Sequence, residues 1–427
     1  MSSGIDAHAV AALSGERLDW RFKAIPAAAH GSTAGEYAAA RPPLEEFGTP
    51  LLTLDAGALD HNLTVMAGWA AAAGVHLAPH GKTTMAPALW QRQLDAGAWG
   101  ITLANLPQLR VGRAFGVRRL LLANALIDPA GLAWVSAELD RDPEFEFVCW
   151  VDSARSAALM DTALRAAGAR RPVDVLVELG GPDGRTGLRD DDEALEVAEA
   201  VRAARTLRLT GVGGYEGALA HDATPGGLAA VEAYLHRLAR LHGRLRYETA
   251  EPIVSAGGSA YFDQVVDVLG GLEATVVLRS GAYLVHDDGF YRSISPFARP
   301  GRGAGPADGA GGRLRAAMHA WARVVSRPEP DLALLDAGKR DLSFDEGLPE
   351  PQRVRGGGSL AGARITALND QHAFLRGLDG REVELGQVVR LGLSHPCTVL
   401  DKWTLIPVVD DADGERPVVV DLIRTWF

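Results

Sequence analysis

Val75-His76-Leu77-Ala78-Pro79-His80-Gly81-Lys82-Thr83-Thr84 reads as a strand, 75–79, that ends in a turn and hands the chain to a helical segment from Met85 to Ala96. Lys82 therefore stands just past a strand's carboxyl end, beside a glycine, where a side chain can face a pocket instead of bulk water. Desolvation in such a place lowers a lysine's pKa and lets it form a Schiff base with a carbonyl. A solvated loop lysine is the simpler reading of an isolated Gly-Lys-Thr. A P-loop is excluded, because it needs a glycine five residues before the Gly-Lys pair and that position is His76.

The same unit recurs along the chain. Strands are expected at 51–55, 75–79, 100–104, 119–123, 146–152, 173–179, 207–213, 252–255 and 275–279. Helical patterns lie between most of them, at 56–73, 86–96, 106–115, 154–167, 191–204, 228–245 and 261–269. Strands alternating with helices build βαβ units and a parallel sheet. The count is one more than closes a (β/α)8 TIM-type barrel. The surplus strand is assigned to a second domain, and a doubly wound open sheet is the rival architecture. After Pro296 the helical rhythm stops. Pro300 to Gly312 is rich in Gly and Pro and reads as a loop or linker. Apolar, β-branched runs at 315–325, 332–336, 364–368, 373–375, 388–393, 405–409 and 418–423 then predict a mostly-β domain, which Leu51–Asp55 is a candidate to join. The expected organisation is an extension over 1–48, a barrel over 49–296, a loop over 297–314 and a β domain over 315–427.

The 427 residues, 47% of them hydrophobic, are enough for two domains. A net charge of -11 leaves no basic stripe for phosphates and excludes nucleic acid as a partner. No apolar run reaches the length of a membrane span, and MSSGIDAHAV lacks the basic and apolar regions of a signal peptide. Cys149 and Cys397 are too few for a disulfide framework. These features predict a cytoplasmic protein.

A barrel carries its site at the carboxyl ends of its strands. Lys82, Asn105, Asn124, Asp152, Arg185, Tyr215 and Ser255 share that register. The loop Gly180–Leu188 brings Arg185, a source of fixed donors, and Tyr215 in Gly213–Gly217 can offer its face to a planar ring. Ser255-Ala256-Gly257-Gly258-Ser259 joins a strand to a helix, where amides and the helix dipole favour an anion. Ser280, Gly281 and Tyr283 repeat that theme after the last barrel strand. In the β domain, His395-Pro396-Cys397 would put an imidazole and a thiolate on one face of a strand, a partial ligand set for zinc. Gln371 and His372 are candidate substrate-pocket residues, His372 also a further ligand. Taken singly, each has a structural explanation as a cap, a turn or a core group.

Together these motifs resemble the fold-type III pyridoxal 5'-phosphate (PLP) enzymes, the alanine-racemase-like group, and within it the D-serine dehydratase and D-threonine aldolase branch. Pro79–Thr83 matches the branch's Pro-His-x-Lys-Thr segment, and Arg185–Leu188 its Arg-x-Gly-(Val/Leu) segment. Tyr215, the Ser255–Ser259 loop, Gly281–Tyr283 and the His395/Cys397 pair match in the same order, from about residue 48 to the end. Ala78 and Thr84-Met85 depart from the Arg and His-Lys frequent in relatives. The resemblance implies a homodimer holding PLP on Lys82, with His80, Arg185, Tyr215, Ser255, Gly257, Gly258, Ser280, Gly281 and Tyr283 about it, and a divalent metal, zinc or else manganese, on His395 and Cys397. The implied reaction is β-elimination of a β-hydroxy D-amino acid such as D-serine or D-threonine to a 2-keto acid and ammonia. Lys82 takes the α-proton while the metal draws off the hydroxyl. Aldolase cleavage to glycine and an aldehyde is the alternative. A non-catalytic PLP-binding protein and a PLP-free metal hydrolase are readings of other classes.

Overall fold

The computed structural model describes residues 4–182, 184–299, 312–378 and 383–427. Most of the expected 297–314 loop, and Asp183 of the Arg185 loop, lie outside them.

The first strand, β1 (Leu51–Asp55), is followed without a break by the helix Ala56–Ala72. Asp55 makes the junction: one carboxylate oxygen accepts from the Ala58 amide at 2.7 Å and caps the helix, and the other accepts from the Ala412 amide at 2.8 Å. Then come β2 (His76–Leu77), β3 (Ile101–Leu103), β4 (Arg119–Ala125), β5 (Glu146–Val151), β6 (Val173–Leu179), β7 (Leu207–Gly214), β8 (Ile253–Ser255) and β9 (Thr275–Leu278). These eight form one parallel sheet in the order β2-β9-β8-β7-β6-β5-β4-β3. A parallel bridge from His80 to Thr102 joins its two ends. The ring is a (β/α)8 barrel with its helices outside, and its strands are buried on both faces, as their unbroken apolar runs require. The strand over 75–79 shrinks to two residues because Pro79 lacks an amide donor for the ladder. A helix over Pro129–Arg141 escaped the periodicity reading, although Asp128 and Pro129 stand at its start as N-cap and first residue.

The second sheet holds β10 (Met318–Glu329), β11 (Leu332–Leu335), β12 (Glu350–Val354), β13 (Arg364–Leu368), β14 (Ala373–Arg376), β15 (Val388–Gly392), β16 (Leu405–Val409) and β17 (Val419–Arg424). With β1 it is nine-stranded among the described residues. β1 pairs antiparallel with β10, Leu51 opposite Trp321, and parallel with β16. Leu18, Phe22, Leu44 and Phe47 of the N-terminal segment pack with Leu51, Trp321 and Leu405 on one side of this sheet. Among the described residues, no helix is long and apolar enough to cross a membrane.

Candidate active site

Beyond β2 the chain passes Ala78 and Pro79 and turns through a 3-10 segment, Gly81–Thr83. Gly81 is needed there. A Cβ would lie 2.7 Å from Ile101 Cγ2 and 2.9 Å from the Trp90 indole. Lys82 emerges half-buried at the carboxyl end of the barrel, in a cavity of about 310 Å³. Burial pushes its pKa down, Cys397 pulls it back, and Arg185 and Arg279 push it down further. The cavity also meets His80, Asn124, Arg185, Tyr215, Gly258, Gly281, His395 and Cys397. The Arg185 guanidinium lies over the Tyr215 ring, 4.7 Å from its centroid, so a cation and an aromatic face meet at the cavity.

Other expected residues lie elsewhere. Ser255 is fully buried; its hydroxyl donates to Val277 O at 3.0 Å and accepts from Arg279 at 2.6 Å. Ser280 donates to Gly258 O at 2.9 Å, and Gly257 holds the loop at φ +96°. These three shape the loop from behind. Tyr283 turns into the core, where its hydroxyl accepts from Gln93 at 3.0 Å. Gln371 and His372 are exposed between β13 and β14, and Gln371 donates to Asp341 at 2.9 Å. Asn105 caps the helix Leu106–Ala114 by accepting from Gln108 N at 3.0 Å. Asp152 accepts from Gly187 N at 3.5 Å, behind Arg185.

His395 and Cys397 reach the cavity in a different way from that expected. They lie on a turn after β15, not on a strand: His395 has φ +51°, and Cys397 opens a short helix, Cys397–Leu400. The turn is pinned by Asp287, which accepts from the His395 amide at 3.0 Å. Cys397 Sγ lies 3.4 Å from Thr83 Oγ1, one residue from Lys82. His395 Nδ1 lies 2.5 Å from Asp345 Oδ2. A hydrogen bond with Cys397 raises the His395 pKa to about 9 against burial, and Asp345 adds to the rise. Burial opposes ionisation of Cys397, but hydrogen bonds from His395 and Thr83, with the charges of His395 and Lys82, hold the thiol below its ordinary value.

Two groups can be fitted to these residues. His80 Nδ1 and Trp150 Nε1, both in cavity-lining side chains, are buried without a partner. A Cβ on Gly281 would meet His80 O at 2.7 Å, and one on Gly258 would meet the Tyr215 ring at 2.9 Å, so this edge of the cavity admits only bare backbone. An amine, an aromatic side chain with a cation over it, and orphaned polar atoms suit a planar, polar aldehyde such as PLP. An imidazole held at Nδ1 by a carboxylate beside a depressed thiol suits a zinc-like ion with open positions. Among the described residues no third His, Cys, Asp or Glu completes a metal set.

The sequence reading passed over several residues. Arg279, at the end of β9, is fully buried beneath the Trp150 ring at 5.0 Å and lines the cavity. It shares the register of Lys82, so that rule could have found it. Tyr291 also lines the cavity. Glu178 accepts from Thr186 at 2.7 Å, and burial raises its pKa to about 7. Asp345 carries no signal in its neighbours.

The Alanine racemase, N-terminal domain family matches residues 54–285, and the "Putative serine dehydratase domain" family matches 317–409. The chain is 31% identical over 362 residues to the D-threonine aldolase of Arthrobacter sp, covering 83% of this chain and 86% of that one. Its structure superposes on D-threonine aldolase from Filomicrobium marinum with a TM-score of 0.74 at 26% identity, over 90% of this chain and 97% of the other. D-threo-3-hydroxyaspartate dehydratase from Delftia sp. HT23 gives 0.68 at 23% identity, over 90% and 100%. That dehydratase has also been solved with a histidine replaced by alanine and, in a metal-free form, with a cysteine replaced by alanine.

Proposed function

The chain belongs to the alanine-racemase-like, fold-type III family of PLP enzymes, and on that footing we propose that it is a PLP-dependent lyase of β-hydroxy D-amino acids, with β-elimination to a 2-keto acid and ammonia as its reaction. The observation that carries this reading is convergence. Lys82, from the barrel, and the His395/Cys397 pair, from the β domain, meet in one cavity. PLP on Lys82 supplies the electron sink. A divalent ion, zinc in this proposal, supplies Lewis acidity at the substrate's β-hydroxyl.

The chain's own residues do the rest. Arg185 and Tyr215 would hold the cofactor's ring, and a guanidinium facing its nitrogen would favour the unprotonated form. Lys82, with its pKa pushed down, takes the α-proton at Nζ. His395 Nε2 and Cys397 Sγ hold the ion, and Asp345 fixes the imidazole tautomer. The thiol of Cys397 favours elimination, because His395-Pro396-Cys397 resembles the dehydratase type, against the His-x-Asp often seen in aldolases. A second reading, cleavage to glycine and an aldehyde, is favoured by the 31% identity to an aldolase. D-serine, D-threonine and 3-hydroxy-D-aspartate, assayed for keto acid and ammonia against glycine and aldehyde, separate the two. Glycine and aldehyde as the main products would overturn elimination. Activity that survives complete chelation would remove the ion from the proposal. A homodimer is part of it too, checked by light scattering on the purified protein.

A further inference from the structure

Strand β7 runs into Tyr215 and Glu216, and the turn sends their side chains in different directions. Tyr215 lines the cavity, whereas Glu216 is fully buried. Glu216 Oε2 accepts from the Gly257 amide at 3.0 Å and Oε1 from the Gly258 amide at 2.6 Å. Those are the amides that the loop after β8 was expected to offer to an anion from outside. An internal carboxylate has them instead. A buried carboxylate is costly unless its oxygens are hydrogen-bonded, so the pairing is tightly constrained. Burial pushes the nearby Arg279 pKa down, and Glu216 is the foremost group opposing that fall.

The loop is tied from its other side as well. Gly257 O accepts from the Arg279 amide at 2.9 Å, and Gly258 O from Ser280 Oγ at 2.9 Å. Ser259 Oγ accepts from the Ala282 amide at 3.2 Å. Gly257 has φ +96°, and a Cβ there would lie 2.5 Å from Leu278 Cδ2, so the loop's path at this point suits glycine alone. Ser259 and Gly281 are left facing the cavity.

We propose that Glu216 is a positioning residue for the phosphate of the cofactor: it withholds the Gly257 and Gly258 amides from that phosphate and sets the loop so that Ser259 and Gly281 form the anion-binding edge. This rests on the PLP reading above. It also makes Tyr215 and the phosphate edge one unit, since residues 215 and 216 are neighbours on a single turn. In Glu216→Gln one amide would meet an NH2 group instead of an acceptor, and in Glu216→Ala both lose their partner.

The test is reconstitution of the cofactor-free protein with PLP and, separately, with pyridoxal, which has no phosphate. The visible band is followed in wild type, Glu216→Gln and Glu216→Ala. The expected result is a PLP Kd raised at least about ten-fold in both variants, in line with the loss of charge-assisted hydrogen bonds, with pyridoxal affinity unchanged. Unchanged or tighter PLP binding would overturn the proposal, because Glu216 would then only fill a phosphate site. Equal losses for PLP and pyridoxal would also overturn it, by showing a general role in folding. Thermal melting of the cofactor-free variants reads that role directly, and Glu216→Gln serves if Glu216→Ala does not fold. A wild type that forms no band with either aldehyde refutes the PLP reading itself, and this inference with it.

Discussion

Asp345→Asn tests how the β domain presents its histidine. Asp345 Oδ2 lies 2.5 Å from His395 Nδ1, and Oδ1 accepts from Thr398 Oγ1 at 2.6 Å. An ionised carboxylate keeps a proton on Nδ1 and leaves the Nε2 lone pair for an ion. Asparagine can still accept from Thr398 only by turning its NH2 toward Nδ1, which moves the imidazole proton to Nε2. Losing such a partner costs about 10–100-fold in metal affinity, or about 1.4–2.7 kcal/mol. The Asp345 side chain is 41% exposed, so screening places the expected loss near the lower end, about ten-fold. The assay is Zn2+ competition against a chromophoric chelator, on metal-stripped enzyme, from pH 7 to 9. Below about pH 9 an ion must displace the proton that Cys397 and Asp345 help to hold on His395, so wild-type affinity rises with pH over this range. The variant's histidine is less basic, so its curve is shallower and the deficit widens toward pH 9. Affinity within two-fold of wild type at every pH would refute the reasoning.

Lys82→Ala is expected to abolish the visible PLP band while leaving the far-UV spectrum intact; a retained band would remove Lys82 as the anchor. Burial raises the Glu178 carboxyl from its usual 4.5 to about 7, so the native state holds an extra proton between those values. Stability therefore falls as pH rises through this window, by up to about 3 kcal/mol, and Glu178→Gln should raise Tm at pH 8 and change little at pH 5. Gly281→Ala forces a Cβ to 2.7 Å from His80 O and 2.9 Å from Thr83 Oγ1. It should cost about 1–3 kcal/mol and weaken PLP binding, read by melting and by titration. Burial raises the Cys149 thiol, so one thiol of the native protein should react quickly with a disulfide reagent, and Cys397→Ala should abolish that reaction.

The alternation of strand and helix, the late β domain and the position of Lys82 are written in local pattern. An apolar run of five to seven residues and the helix that follows it state their own structure. Even Arg279 was open to that rule, because strand-end register is a property of one unit. His395 and Cys397 were expected on one face of a strand, but the chain turns after β15, where Ser394 Oγ donates to Glu346 O and Cys397 opens a short helix. Tyr283 was misread because its partner, Gln93, stands 190 positions away.

Sequence by itself determined the elements, the order of the motifs and the family. Only the tertiary structure decided which side chains meet. Cys397 and Thr83 are 314 positions apart, His395 and Asp345 are 50 apart, and Glu216 reaches the Gly258 amide across 42. Strand and helix propensities act over a few residues, whereas such contacts depend on loop paths and on the way β1 enters the second sheet between β10 and β16. That is why the anion loop was visible in the sequence and the carboxylate already seated in it was not.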